Sequence, residues 1–227
     1  HYFKSLKIYE AQPVPFDKVP MVLSNIGIVY KKQKDFNKAL NYYKKALKIY
    51  NDNQYDFGIA VTSGNIGLVH LNLQTFDSAI VYSNKAKNIY LRLGYHRYIP
   101  YMLQNIAGAK DSLNLTQESQ SLYKEAIKLF KEEDNLYELT NSQLGLASSL
   151  IASKEFNQAN DYSKKALDIS LNQGFKEFEI KAYNILSRVY HGLGDFKNAY
   201  YYSEKHAAGK DRLFEDSKTQ LIFDLDK

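Results

Sequence analysis

The sequence predicts an all-α protein built from a helical repeat. Three observations carry this reading. Segments forty residues apart resemble one another along nearly the whole chain, apolar residues recur at helical spacings of three and four, and small residues return at one fixed phase.

The self-similarity is plain in SNIGIVYKKQKDFNKALNYYKKALKIY, from Ser24, and GNIGLVHLNLQTFDSAIVYSNKAKNIY, from Gly64. Continuing at an offset of 40 aligns Ile26, Ile66, Ile106, Leu146 and Leu186. It also aligns Phe36, Phe76, Thr116, Phe156 and Phe196; Ala39, Ala79, Ser119, Ala159 and Ala199; and Tyr42, Tyr82, Leu122, Tyr162 and Tyr202. The phase does not slip across five units.

Each unit reads as two helices. In the first helix Leu23, Ile26, Gly27 and Tyr30 share a face, and the second is expected to bury Phe36, Ala39, Tyr43, Ala46 and Ile49. Asp35, Thr75, Glu155 and Asp195 stand where a side-chain oxygen can cap the second helix. Small residues recur at Gly27, Gly67, Ala107, Ala147 and Ser187 on the first helices, and at Ala46, Ala86, Ala126 and Ala166 on the second. They leave room for large neighbours such as Tyr43 between antiparallel helices. Pro100 is expected in the first turn of a helix, where its missing N–H costs little.

SLKIY at Ser5–Tyr9 matches ALKIY at Ala46–Tyr50, so residues 1–11 read as the end of an earlier repeat. The proline-rich loop Gln12–Pro20 accommodates the extra residue in that offset of 41. Five hairpins follow, at about 18–53, 54–93, 94–133, 134–173 and 174–210, and then a capping or linking helix over 211–227. In that tail Leu213, Phe214, Leu221 and Leu225 would face the last repeat or a partner chain. Repeats that share one continuous core are expected to form one domain.

Composition removes several classes of function. The chain has no cysteine, which excludes disulfides, thiolate zinc sites and a cysteine nucleophile. No apolar stretch approaches a membrane span. The net charge of +5, from 30 basic and 25 acidic residues, is spread along the chain and does not point to nucleic acid. The histidines lack ligand spacing, so no metal and no cofactor is expected. Gly192-Leu193-Gly194-Asp195 reads as an inter-helix turn, and no catalytic arrangement can be built, so the segment is not expected to be an enzyme. Most of the 20 tyrosines fall at repeat core positions; Tyr95, Tyr98 and Tyr101, beside His96 and Arg97, are expected to form an exposed aromatic rim.

The spacing Leu23, Ile26, Gly27, Tyr30, Ala39, Tyr43, Ala46 resembles the tetratricopeptide-repeat pattern. The period is longer than the usual one. Forty-residue versions resemble the arrays of kinesin light chains, of bacterial Rap-type regulators and of bacterial signalling proteins, where such arrays precede a membrane helix and a histidine kinase or a LuxR-type DNA-binding domain. Lys210-Asp211-Arg212-Leu213-Phe214 resembles the exit from those sensor arrays. The resemblance implies a right-handed α-α superhelix, a tetratricopeptide solenoid whose concave groove binds a protein or an extended peptide. It implies a periplasmic setting for a sensor region and a cytoplasmic one otherwise. Self-association would use the C-terminal helix, and membrane attachment would need a further segment.

If the core face is as described, the opposite stripe of the first helix is Met21, Asn25, Ile28 and Lys32. Its equivalents are Val61, Asn65, Leu68, Asn72; Tyr101, Asn105, Gly108, Ser112; Asn141, Gly145, Ser148, Ala152; and Lys181, Ile185, Arg188, Gly192. By the resemblance this stripe lines the groove. Asn25, Asn65 and Asn105 stand out, because Asn is a poor residue inside a helix and its amide matches a peptide bond in donors and acceptors. Either they hold a ligand backbone or they bond neighbouring helices and set the stacking. Tyr101, Gln104, Val61, Ile28 and Leu68 would supply further contacts. Lys32, Lys181, Arg188 and His191 read either as anion contacts or as solvated surface. Lys44, Lys45, Lys48, Lys124, Lys128, Lys164 and Lys165 are expected on the outer face.

The sequence therefore points to a protein- or peptide-binding repeat domain, the sensory or interaction region of a bacterial signal-transduction protein. A passive interaction scaffold is the alternative, and a regulator touching nucleic acid through its lysines a more distant one.

Overall fold

Each inter-helix turn is built by one recurring bond. The amide of Asp35 donates to the Tyr30 carbonyl at 2.9 Å, and the same five-residue span links Tyr55 to Tyr50, Thr75 to His70, Tyr95 to Tyr90 and Asp195 to Tyr190. This bond closes a helix C-terminus when the preceding residue turns left-handed. Gly94, Gly174 and Gly194 do so, and so do Lys34, Gln54, Gln74, Asn114, Asp134 and Lys154, with φ between 52 and 63°. The repeat thus restarts its helices at the same place in every period.

The structure, a computed structural model, describes residues 1–11 and 15–225, and for residues 10, 11, 217 and 220–225 the backbone alone. Gln12, Pro13 and Val14, the start of the proline-rich loop, lie outside the described residues. The chain forms two compact units, His1–Leu115 and Thr116–Lys227. The first contains α1 (Tyr2–Ala11), α2 (Lys18–Lys32), α3 (Phe36–Asp52), α4 (Asp56–Asn72), α5 (Phe76–Leu93), a 3-10 turn (His96–Tyr98) and α6 (Ile99–Ser112). The second contains α7 (Thr116–Glu132), α8 (Leu136–Ala152), α9 (Phe156–Gln173), α10 (Lys176–Gly192) and α11 (Phe196–Leu225). There is no strand among the described residues.

Within each unit consecutive helices pack as antiparallel neighbours, and alternate helices also meet, α4 with α6 and α8 with α10. The small-residue columns lie at the closest approaches. Ala39, Ala46, Ala79, Ala86, Ala126, Ala159 and Ala166 are fully buried. A Cβ on Gly27 would stand 2.7 Å from the Tyr43 ring. A Cβ on Gly67 would collide with Ser83 Oγ and lie 3.2 Å from the Ala79 carbonyl oxygen. Pro100 lies in the first turn of α6 and is buried.

Several expectations are corrected. Asp35 and Asp195 cap their helices, accepting from the amides of Lys38 and Asn198 at 3.1 Å. Thr75 and Glu155 do not cap, because their oxygens are engaged elsewhere. Thr75 donates to the His70 carbonyl at 3.1 Å, and the Glu155 carboxylate accepts from Ser153 and Gln158 at 2.8 Å each. Asn135 caps α8 through the Glu138 amide. Tyr43 is fully buried, but Tyr30, Tyr42, Phe36 and Ile49 are half-buried. The Tyr30 and Tyr42 rings stack at 5.5 Å, at an edge of the hairpin that packing covers on one side only.

The chain from Phe196 to Leu225 is a single helix of 30 residues, with no break near 211. It is fastened to α10 by a Lys176–Asp216 ion pair at 3.0 Å and by His206 Nδ1, 3.1 Å from the Ile180 carbonyl. Leu213 is half-buried, whereas Phe214 is 68% exposed. The side chains of Leu221 and Leu225 lie outside the described residues.

The close approach at Gly67 makes a direct test of register. Gly67→Leu should lower stability by ~1–3 kcal/mol through overpacking, while Lys45→Leu, at an exposed position, should leave the urea midpoint near wild type. Equal midpoints for both variants would contradict this packing.

Candidate ligand-binding site

The stripe opposite the core is half-buried rather than open, and the reason is the contact between alternate helices. Where α4 meets α6, the Met102 side chain comes within 3.0 Å of a Cβ built on Gly64. Asn25, Ile28, Val61, Asn65, Leu68, Tyr101 and Gln104 are half-buried, Lys32 and Asn72 exposed, and Asn105 is buried at 8% exposure.

The first unit brings the three asparagines onto one phase of α2, α4 and α6. Among the described residues, none of the Asn25, Asn65 and Asn105 side chains has a hydrogen-bond partner, although many other polar side chains of the chain do. Asn72 is different: its amide donates to the Leu68 carbonyl of its own helix at 2.8 Å. Lys31, beside Lys32 on α2, has its ammonium pushed below the ordinary lysine value by desolvation and then by the Lys32 charge.

In the second unit the equivalent positions carry different chemistry. Asn141 donates to Glu138 at 3.4 Å. Gly145 faces the Tyr123 ring. On α10, Lys181 and Arg188 are exposed, but Ile185, expected beside them, is core at 2% exposure, because α10 packs on α8 there. Lys181 has an exposed stem, yet desolvation holds its ammonium below the ordinary value.

Arg188 and His191 line a cavity of about 470 Å³ with Lys154, Ile151 and Phe156. Lys154 and Phe156 carried no site signal in the sequence. Lys154 is a turn residue, and Phe156 read as core.

The remaining candidates fall into place as structure. Tyr95 and Tyr98 do not form a free rim. Tyr98 stacks on Tyr90 at 4.9 Å and meets Phe57 edge-on at 6.0 Å, under the Arg97 guanidinium, while Tyr95 stays 45% exposed. Of the outer lysines, Lys45, Lys164 and Lys165 lie over tyrosine rings and Lys48 pairs with Asp52. No group of three or more His, Asp or Glu among the described residues could hold a metal ion. No helix among them is long and apolar enough to cross a membrane.

A family model described as tetratricopeptide repeat matches residues 20–53. The chain has the tetratricopeptide-repeat fold. Solved structures agree over most of its length. BtubC (BKLC) from P. vanneervenii superposes with a TM-score of 0.77 at 17% identity, over 93% of this chain and 89% of that one. A Rap protein complexed with Competence and Sporulation Factor gives 0.77 at 16%, over 93% of this chain and 59% of that one. A Podosopora anserina putative kinesin light chain with TPR-like repeats gives 0.71 at 12%, over 89% and 100%. No curated protein matches the sequence.

In this fold His70 takes the place of the Tyr30 ring, stacking on Tyr82 at 5.5 Å with Nδ1 2.7 Å from Thr75 Oγ1. Burial first, and the Lys44 charge second, lower its pKa from 6.5. As pH falls through 6.5, the unfolded chain takes up the proton before the folded one. Stability should therefore decline over the interval between 6.5 and the lower folded value and level off below it. His70→Gln should remove that portion of the slope when melting temperature is followed from pH 8 to 5. An unchanged slope would show that His70 does not contribute.

Proposed function

We propose that this chain is the peptide-binding region of a bacterial signalling protein, and that the stripe on α2, α4 and α6 holds an extended peptide by its backbone. One observation carries the reading. Asn25, Asn65 and Asn105 hold amides at a common phase, half-buried or buried, without hydrogen-bond partners among the described residues. An amide kept from full solvation and left unpaired costs free energy, which a ligand's peptide group would recover. Had the same residues served to stack the helices, their amides would be bonded to neighbouring elements. Ile28, Val61 and Leu68, half-buried alongside, would cover apolar side chains of the same peptide.

The recognition is of the extended-peptide kind, with backbone bonds for affinity and adjacent apolar contacts for selection. Support by analogy comes from a Rap protein of the same fold that carries a bound factor. The signalling role rests on the same analogy and on the resemblance of Lys210–Phe214 to the exit of sensor arrays. Binding would bias the arrangement of neighbouring hairpins, and α11 would pass that bias to an output domain or to a second copy.

Peptides selected from a random eight-residue library against the 227-residue protein supply the probe. Each of Asn25→Ala, Asn65→Ala and Asn105→Ala should weaken the selected peptide by the value of one hydrogen bond, ~0.5–1.5 kcal/mol, or several-fold. Lys45→Gln should bind as wild type. Unchanged affinity in all three Asn variants, with lowered melting temperatures, would assign the amides to the scaffold instead.

A further inference from the structure

We propose that the cavity at the C-terminal ends of α8 and α10 binds a small organic carboxylate with an apolar body. This site is independent of the asparagine stripe and lies wholly within the second unit.

The cavity has about 470 Å³, within the ~300–1,000 Å³ typical of small-molecule sites. Its charged lining is of one sign. Arg188 and Lys154 are cations, His191 adds a ring that can donate, and no lining residue is acidic. Among the described residues neither Arg188 nor Lys154 has an ion-pair partner. The acid next in sequence, Glu155, keeps its charge while it accepts from Ser153 and Gln158, but it does not line the cavity. Ser187 donates to the Ala199 carbonyl at 2.8 Å, so it is committed to the scaffold. The positive potential in the cavity is therefore not cancelled by its own walls.

The same lining includes the apolar side chains of Ile151 and Phe156. Phe156 opens α9 and lies against Gly192, where any added Cβ would run into its ring. That packing holds the ring as a fixed surface beside Ile151. His191 is braced in turn by the edge of Phe196, at 5.5 Å between ring centres. A guanidinium that is always charged and presents a planar fork suits a carboxylate. With a ring and a branched side chain in the same lining, the complementary ligand has one carboxylate on an aromatic or branched aliphatic body. The volume fits a molecule of metabolite size.

The test titrates the 227-residue protein with 3-phenylpropanoate, by calorimetry and ligand-observed NMR. Saturable binding is expected, weakened roughly tenfold or more in Arg188→Gln, the loss of a charge-assisted hydrogen bond. Arg188→Lys should fall between the two. The neutral 3-phenylpropanamide should lose as much as Arg188→Gln does, and Phe156→Leu should weaken binding per folded molecule, measured below its own melting temperature. Failure to saturate would overturn the proposal. So would equal binding of the amide, unchanged binding in Arg188→Gln, or equal binding of inorganic phosphate. Binding of a peptide ending in phenylalanine, without binding of 3-phenylpropanoate, would move the site to a peptide partner and overturn it as well.

Discussion

Everything in this molecule hangs on how closely the two helices of a hairpin approach. Gly67 lies against Ser83 and the Ala79 carbonyl with no room for a methyl group, and Gly27 lies against the face of Tyr43. At that separation the remaining side chains interdigitate in one register, which the buried alanines at 46, 86, 126 and 166 extend down the chain. A packed core does not deform continuously. Small residues return at this phase every forty residues, at Gly27, Gly67, Ala107, Ala147 and Ser187.

The left-handed turns act on the same period. Each closes one helix and starts the next through a bond of fixed span, from Asp35 to Tyr30 or from Asp195 to Tyr190. Only three of these nine positions are glycine. Lysine, glutamine, asparagine and aspartate tolerate the conformation because the bond and the surrounding packing over-determine it. One of them, Lys154, lines the cavity of the second unit.

Two chemistries are mounted on this repeated frame. The first unit offers neutral amides among apolar side chains, suited to a backbone that needs both a donor and an acceptor. The second offers cations beside an aromatic wall, suited to an anion. Burial governs both. Asn105 is buried without a hydrogen-bond partner among the described residues, and Lys181 is exposed while desolvation lowers its pKa. By contrast Lys45, Lys164 and Lys165 of the outer face lie over tyrosine rings, and Lys48 pairs with Asp52.

By itself the sequence determined the helical class, the forty-residue period, the small-residue contacts and the phase shared by Asn25, Asn65 and Asn105. These are local or strictly periodic properties, and a helix of 3.6 residues per turn converts spacing directly into a face. Tertiary structure alone decided how much of each face is covered. Contact between α8 and α10 buried Ile185, which spacing had placed on the open stripe. It left Tyr30 and Tyr42 half-exposed, which spacing had placed in the core. It also turned Thr75 and Glu155 from caps into turn braces, and drew Lys154, Phe156, Arg188 and His191 together from two hairpins. Burial and convergence depend on what lies across from a residue, and that is set by neighbours distant along the chain, to which periodicity is blind.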